Sequence, residues 1–174
     1  CQKQIRACGI GSGASIRMRI GVISDTHGSA FGIERAVRAL PDVEAWIHLG
    51  DVVPDVRTLE KRAGVPVYSV RGNCDFDARL AAEQILTLEG VRIFACHGHQ
   101  YGVRYDRTRL FYRAEELKCT LALYGHTHVS LLEASGALIA LNPGSPTSPR
   151  EGRAPSAALL KIENGTIYPE IVLV

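Results

Sequence analysis

The chain has 174 residues, 46% hydrophobic and 22% charged, which suits one globular domain with a buried core. A formal net charge of +2 gives no support for a general nucleic-acid surface, and no apolar run approaches the roughly 20 residues that a membrane helix needs. The five cysteines, Cys1, Cys8, Cys74, Cys96 and Cys119, form no CxxC pair, which argues against a zinc ribbon or thioredoxin-type motif and for a reducing, cytoplasmic setting.

Residues 1–17, "CQKQIRACGIGSGASIR", are basic and rich in Gly and Ser, and make a poor signal peptide. Met18 is the one methionine and directly precedes the first apolar strand. The segment before it is expected to be a flexible extension or an upstream remnant, with a single domain over 18–174. "MRIGVIS" (18–24) reads as a buried strand. The spacing of Phe31, Ile33, Val37 and Leu40 predicts a helix over 29–40, stopped by Pro41. A second strand follows at 43–49, a helix over 54–64 ending at Gly64, and a third strand at 65–70. This alternation predicts a parallel sheet with crossover helices.

The second half has a different rhythm. Residues 84–96 read as a hairpin turning at Glu89-Gly90, and 104–118 as a helix with Leu110, Phe111, Ala114 and Leu117 on one face. A strand is predicted in 119–125, a hairpin over 129–142 about Ser135-Gly136, and a last hairpin over 154–174 about Asn164-Gly165. About ten strands with few helices cannot form one doubly covered sheet. Two sheets packed face to face with helices outside fit better. Cys96 and Cys119 lie in apolar runs and read as buried thiols.

Five apolar runs end in the same kind of chemistry. They lead into Asp25-Thr26-His27-Gly28, Gly50-Asp51, Gly72-Asn73-Cys74-Asp75, His97-Gly98-His99 and Gly125-His126-Thr127-His128. Ligand sites in open α/β sheets gather at the carboxyl ends of strands. In an extended segment, residues i and i+2 point to one side, so Asp25 with His27, and His126 with His128, are expected to converge on one point. Mixed imidazole and carboxylate donors suit Mn, Fe, Ni or Zn. Seven donors are too many for one tetrahedral site and suit two metals that share a bridging carboxylate. His48 stands apart in mid-strand and reads as a core histidine. Arg104, Arg107, Arg109 and Arg113 read as a solvated helix face.

The ordered series Asp-x-His, Gly-Asp, Gly-Asn, His-Gly and Gly-His-x-His resembles the signature of the calcineurin-like metallophosphoesterases. "GNCD" and the later "NPGS" (142–145) are most similar to its small bacterial phosphodiesterase branch. The resemblance implies a four-layer α/β/β/α sandwich of two mixed sheets flanked by helices. It also implies two divalent transition metals, manganese first and nickel, zinc or iron as options. Asp25, His27, Asp51 and His128 would hold one metal, and Asp51, Asn73, His97 and His126 the other. Asp51 bridges; Asp51, Asn73 and His97 are the implied catalytic residues, and His99 an outer residue. The implied reaction is hydrolysis of a small phosphodiester by a hydroxide bridging the metals.

One position departs from the family pattern. Cys74 stands where much of the family has a histidine that protonates the leaving group, while Asp75 keeps the acidic position beside it. The departure implies weak action on alkyl monoesters. The competing reading is a non-catalytic scaffold for protein assembly, similar to the retromer subunit of this fold. The complete donor set, His27 included, favours the enzyme. Oligomeric state is left open, a homo-oligomer among the options.

Overall fold

A computed structural model describes residues 17–76 and 79–174. The expected extension therefore lies outside the described residues, except for Arg17, which opens the first strand. The elements are β1 (Arg17–Ile23), α1 (Ala30–Ala39), β2 (Ala45–His48), α2 (Pro54–Ala63), β3 (Val67–Ser69), β4 (Glu83–Leu88), β5 (Val91–Cys96), a 3-10 turn (His99–Tyr101), α3 (Thr108–Glu116), β6 (Leu121–Leu123), β7 (Leu131–Ser135), β8 (Leu138–Asn142), β9 (Ser156–Glu163) and β10 (Thr166–Leu173).

The strands form two five-stranded sheets, ordered β10-β9-β1-β2-β3 and β4-β5-β6-β8-β7. Each has three parallel strands, β1-β2-β3 in the first and β5-β6-β8 in the second, with antiparallel strands outside them. Strand alternation assigns the faces. Ile20 and Val22 of β1 meet Val91, Ile93 and Ala95 of β5 in one shared core, with Leu121 and Leu123 of β6. The opposite face of the first sheet packs Trp46 against Ile33, Ala36 and Leu59 of α1 and α2. The opposite face of the second packs Phe94, Cys96 and Ala122 against Leu110 and Ala114 of α3. The layers are thus helices, sheet, sheet, helix. Burying each large apolar side chain contributes about 1.5–3 kcal/mol, and this sustains the inter-sheet core.

Local chemistry explains the boundaries. The Ser29 hydroxyl accepts from the Gly32 N–H to cap α1, and Pro54 starts α2. Gly64 ends α2 in a left-handed conformation, φ +69°. Three expectations need correction. The helix expected over 104–118 starts only at Thr108, because the chain turns through the 3-10 segment and a further turn at Gly102 first. Arg104 is therefore not on the helix, and Arg107 is its N-cap residue. The strand expected in 119–125 keeps only Leu121–Leu123, and the hairpin between β7 and β8 turns at Gly136-Ala137.

Candidate metal centre

All five donor clusters follow parallel strands: β1, β2, β3, β5 and β6. The loop after β8, the remaining parallel strand, braces them. Ser145 Oγ donates to the backbone oxygen of Asp25 at 2.8 Å. Asn142 Nδ2 donates to the Gly125 carbonyl at 2.9 Å and to Thr127 Oγ1 at 3.0 Å. The signal for Asn142 and Ser145 in the sequence is one more Gly-containing strand end after an apolar run.

The donors do not converge by strand alternation. Asp25 (φ +56°), His27 (+46°), Asp51 (+59°), His126 (+69°) and His128 (+62°) all have left-handed backbone. The extended i, i+2 geometry expected for both pairs is absent. The chain instead curls back over each strand end. Asp and His tolerate this conformation better than most residues, which suits them to such corners. Val52, at φ +73°, is a β-branched residue in the same region and is strained.

Asp25 is at the centre. Its side chain is fully buried; Oδ2 accepts from the His126 backbone N–H at 3.0 Å, and Oδ1 has no hydrogen-bond partner among the described residues. Around Oδ1 lie His128 Nε2 at 3.3 Å and His97 Nε2 at 3.9 Å. His97 Nε2 is also 3.3 Å from Asp51 Oδ1 and 3.1 Å from Asn73 Oδ1. His27 Nε2 faces His128 Nε2 at 3.2 Å and Asp51 Oδ2 at 4.0 Å. The His126 ring stands edge-on to His97, centroids 5.2 Å apart.

The imidazole tautomers follow from the far sides of the rings. His97 Nδ1 is 2.8 Å from the Leu49 carbonyl, and His128 Nδ1 is 2.7 Å from the Ser148 carbonyl. A carbonyl only accepts, so each Nδ1 carries the proton and each Nε2 presents a lone pair inward. Burial, the largest cause, lowers the pKa of His97 to about 4 and also lowers those of His128 and His126, so the rings are neutral near pH 7. Burial, with Asp51 adding, raises Asp25 to about 7. For Asp51 burial pushes upward, but His97 and the Cys74 N–H and thiol outweigh it and hold the carboxyl below its usual range.

These features fit a cation. A buried carboxylate oxygen without a donor, surrounded by imidazole lone pairs, is poorly satisfied by the protein alone. Among the described residues, three groups of donors lie within mutual reach: Asp25, His27 and His128; Asp25, Asp51 and His97; and His27, Asp51 and Cys74. Asp25 thus faces both sides of the site, as Asp51 does. His126 is in none of the three groups, and Asn73 joins through its amide oxygen beside His97.

The remaining residues divide by role. Cys74 is exposed; its N–H donates to Asp51 Oδ1 at 3.0 Å and its thiol to Asp51 Oδ2 at 3.4 Å. Asp75 turns the other way, accepting from the N–H groups of Val53 at 2.7 Å and Gly72 at 2.8 Å. It ties the loop after β3 to the start of α2. His99 lies beside His97 and His126, with ring centroids 5.4 and 6.1 Å away. Gly72 packs so tightly that a Cβ there would overlap Asp51 Oδ1.

His48 is fully buried, and burial lowers its pKa to about 4. It accepts at Nδ1 from the Gly50 N–H (3.2 Å) and contacts Thr26 Oγ1 through Nε2 (3.0 Å). Thr26 passes its proton toward Asp55 Oδ2 at 2.6 Å, which also accepts from the Gly28 N–H at 2.7 Å. This chain of hydrogen bonds locks the loops after β1 and β2 together. Sequence reading placed His48 in the core but did not see its partners Thr26 and Asp55.

Comparison with known proteins gives one family. The model of the calcineurin-like phosphoesterase superfamily domain matches residues 18–165. The probable metallophosphoesterase YsnB of Bacillus subtilis is 35% identical over 148 residues, 84% of this chain and 86% of that protein. Phosphodiesterase YfcE of Escherichia coli is 30% identical over 172 residues, 82% of this chain and 87% of that protein. A conserved Streptococcus pneumoniae protein described as a predicted phosphoesterase superposes with a TM-score of 0.77 at 30% identity, covering 92% of this chain and 91% of that one. Zinc-complexed Vps29 of Entamoeba histolytica superposes at 0.72 with 22% identity over 89% of this chain and 98% of that one, a likeness of fold alone. By sequence and architecture together, the chain belongs to the calcineurin-like phosphoesterase superfamily and so to the phosphoester hydrolases.

Proposed function

We propose that this protein is a dinuclear metal-dependent phosphodiesterase. One observation carries the reading: Asp25 Oδ1 is buried without a hydrogen-bond partner among the described residues, beside the inward nitrogens of His97 and His128. Asp25, His27, Asp51 and His128 would hold one cation, and Asp51, Asn73, His97 and His126 the other. When bound, two such cations lower the pKa of a water nucleophile and neutralise charge on the phosphoryl group. Manganese is the first candidate, with nickel, zinc or iron as options.

The chain's own residues set the rest of the chemistry. The Leu49 and Ser148 carbonyls keep His97 and His128 from turning, so their nitrogens aim inward before any ligand arrives. His97 and Asn73 bring a nitrogen and an amide oxygen to one point at the mouth. Cys74 occupies that mouth with its thiol turned to Asp51. A neutral thiol engaged in this way is a poor proton donor to a departing alkoxide. Activated diesters, whose leaving groups need no proton, are the preferred substrates. A relative named as a phosphodiesterase supports the diester reading.

The assembly-scaffold reading rests on the fold shared with Vps29. A scaffold has no need of two pinned imidazoles around an unpaired carboxylate oxygen. The deciding experiment is elemental analysis with a diesterase assay after chelation and reloading. Two metals per chain, and activity that disappears and returns, are expected. At most one metal after manganese loading, or activity indifferent to chelation, overturns the reading.

A further inference from the structure

Building on the phosphodiesterase reading, we propose that the substrate carries a second phosphate, held in an arginine-lined groove beside the metal centre. The groove has a volume of about 380 Å³, and its lining includes Arg104, Arg107, Arg150, Glu151, Arg153 and Thr127. Thr127 lies between His126 and His128, yet none of the seven donors lines the groove. A group bound there is next to the donor cluster without occupying it.

The arginines are brought in from separate parts of the chain. Arg150 and Arg153 are the ends of one tight turn, closed by the Arg153 N–H donating to the Arg150 carbonyl at 3.0 Å. Its central residues, Glu151 and Gly152, have φ of +53° and +68°. This turn is fastened to the donor loop, since the Arg150 N–H donates to the His128 carbonyl at 3.2 Å. Arg104 comes from the segment before α3.

Charge then selects the occupant. Arg107 is paired with Glu133 at 2.7 Å. Among the described residues, Arg104, Arg150 and Arg153 have no ion-pair partner within 4.0 Å. Against the single Glu151 carboxylate, three guanidiniums leave a local charge near +2. A phosphate monoester carries about −1.5 to −2 at pH 7, and its oxygens match the planar guanidinium fork. The scissile diester, a monoanion, belongs at the donors. A solvated arginine face, the reading that suits Arg109, gives no reason for three unpaired cations to meet in one hollow next to the donor loop.

The test compares two thymidine 5′-p-nitrophenyl phosphodiesters, with and without a 3′-phosphate, on manganese-loaded protein. The 3′-phosphate is expected to raise kcat/KM at least ~10-fold through KM, the effect of one charge-assisted hydrogen bond. In the R104A/R150A/R153A variant the ratio of the two kcat/KM values is expected to fall to about one. Melting temperature checks that the variant is folded. Calorimetric titration of metal-free protein with inorganic pyrophosphate is the arm that needs no activity, and the triple variant is expected to bind at least ~10-fold more weakly. If neither ester is cleaved while pyrophosphate binding still depends on the arginines, the phosphodiesterase reading fails and the groove stands. Equal kcat/KM for the two esters, or pyrophosphate binding absent or indifferent to the triple variant, overturns the groove.

Discussion

The site has a buried half and an exposed half, and they are built differently. Asp25, Asp51, His97 and His128 are buried, and each has its orientation set by a backbone group or a neighbouring loop. His27, Asn73 and Cys74 are exposed, and their side-chain contacts are mainly with one another's neighbours in the site. The buried half is rigid before a ligand arrives. The exposed half can change without disturbing the core, so it is where members of one fold can diverge in substrate choice. On the proposed reading, Cys74 acts there.

The contrast is sharpest in activity. Asp51→Asn removes a carboxylate that belongs to two of the three donor groups, and diesterase activity should fall by more than the ~10–100-fold typical of losing an outer-shell partner. Turnover near wild type at saturating manganese would break the assignment of Asp51 as the shared ligand. In stability the halves should differ as well. His48→Ala empties a buried position and leaves Thr26 and the Gly50 N–H without their partner, so a loss of about 2–4 kcal/mol is expected in denaturant unfolding. Cys74→Ala should stay within about 0.5 kcal/mol. Similar losses for the two would erase the distinction.

The same histidine gives a pH dependence with a definite sign. Its folded pKa is depressed, near 4 against 6.5, so between these values the unfolded chain binds the extra proton. Its contribution is full above pH 6.5 and fades as the pH falls toward 4, a drop on the order of 3 kcal/mol. His48→Gln should flatten the stability profile in that window. A profile as steep as wild type would show that His48 is not its source. The smallest effect is expected at the mouth. Cys74→His should raise kcat/KM for alkyl monoesters relative to activated diesters by ~10-fold, less than the ~10²–10⁴-fold that a fully placed general acid supplies. An unchanged ratio, with both metals bound, would make Cys74 a packing residue.

Much of this was readable from the chain because strand, glycine and donor are neighbours in sequence. The run "RIGVIS" followed by Asp25 and His27 needs no tertiary information, and neither does "LALY" before His126 and His128. The carbonyls of Leu49 and Ser148 were not readable. Any residue offers a carbonyl, and only packing decides which one meets an imidazole. The chain His48–Thr26–Asp55 was hidden for the same reason: its members are ordinary residues until two loops touch. The left-handed backbone of the donors contradicted the extended geometry that apolar alternation suggested, because alternation ends where β1 and β6 end. The arginines misled in another way. The helix expected over 104–118 takes in Arg104 and Arg107, but the turn at Gly102 delays α3 to Thr108 and leaves Arg104 lining the groove.

The long spans closed at Asp25 have a kinetic consequence. Its backbone oxygen and carboxylate are held by Ser145 and His126, 120 and 101 residues away. Closing such loops is entropically costly and raises contact order, so the centre forms only once both sheets are nearly complete. A cation that needs the finished centre binds the native state and gains little hold on the folding transition state. Metal loading then acts as a brake on unfolding, prolonging the life of the folded protein while leaving its rate of formation almost untouched.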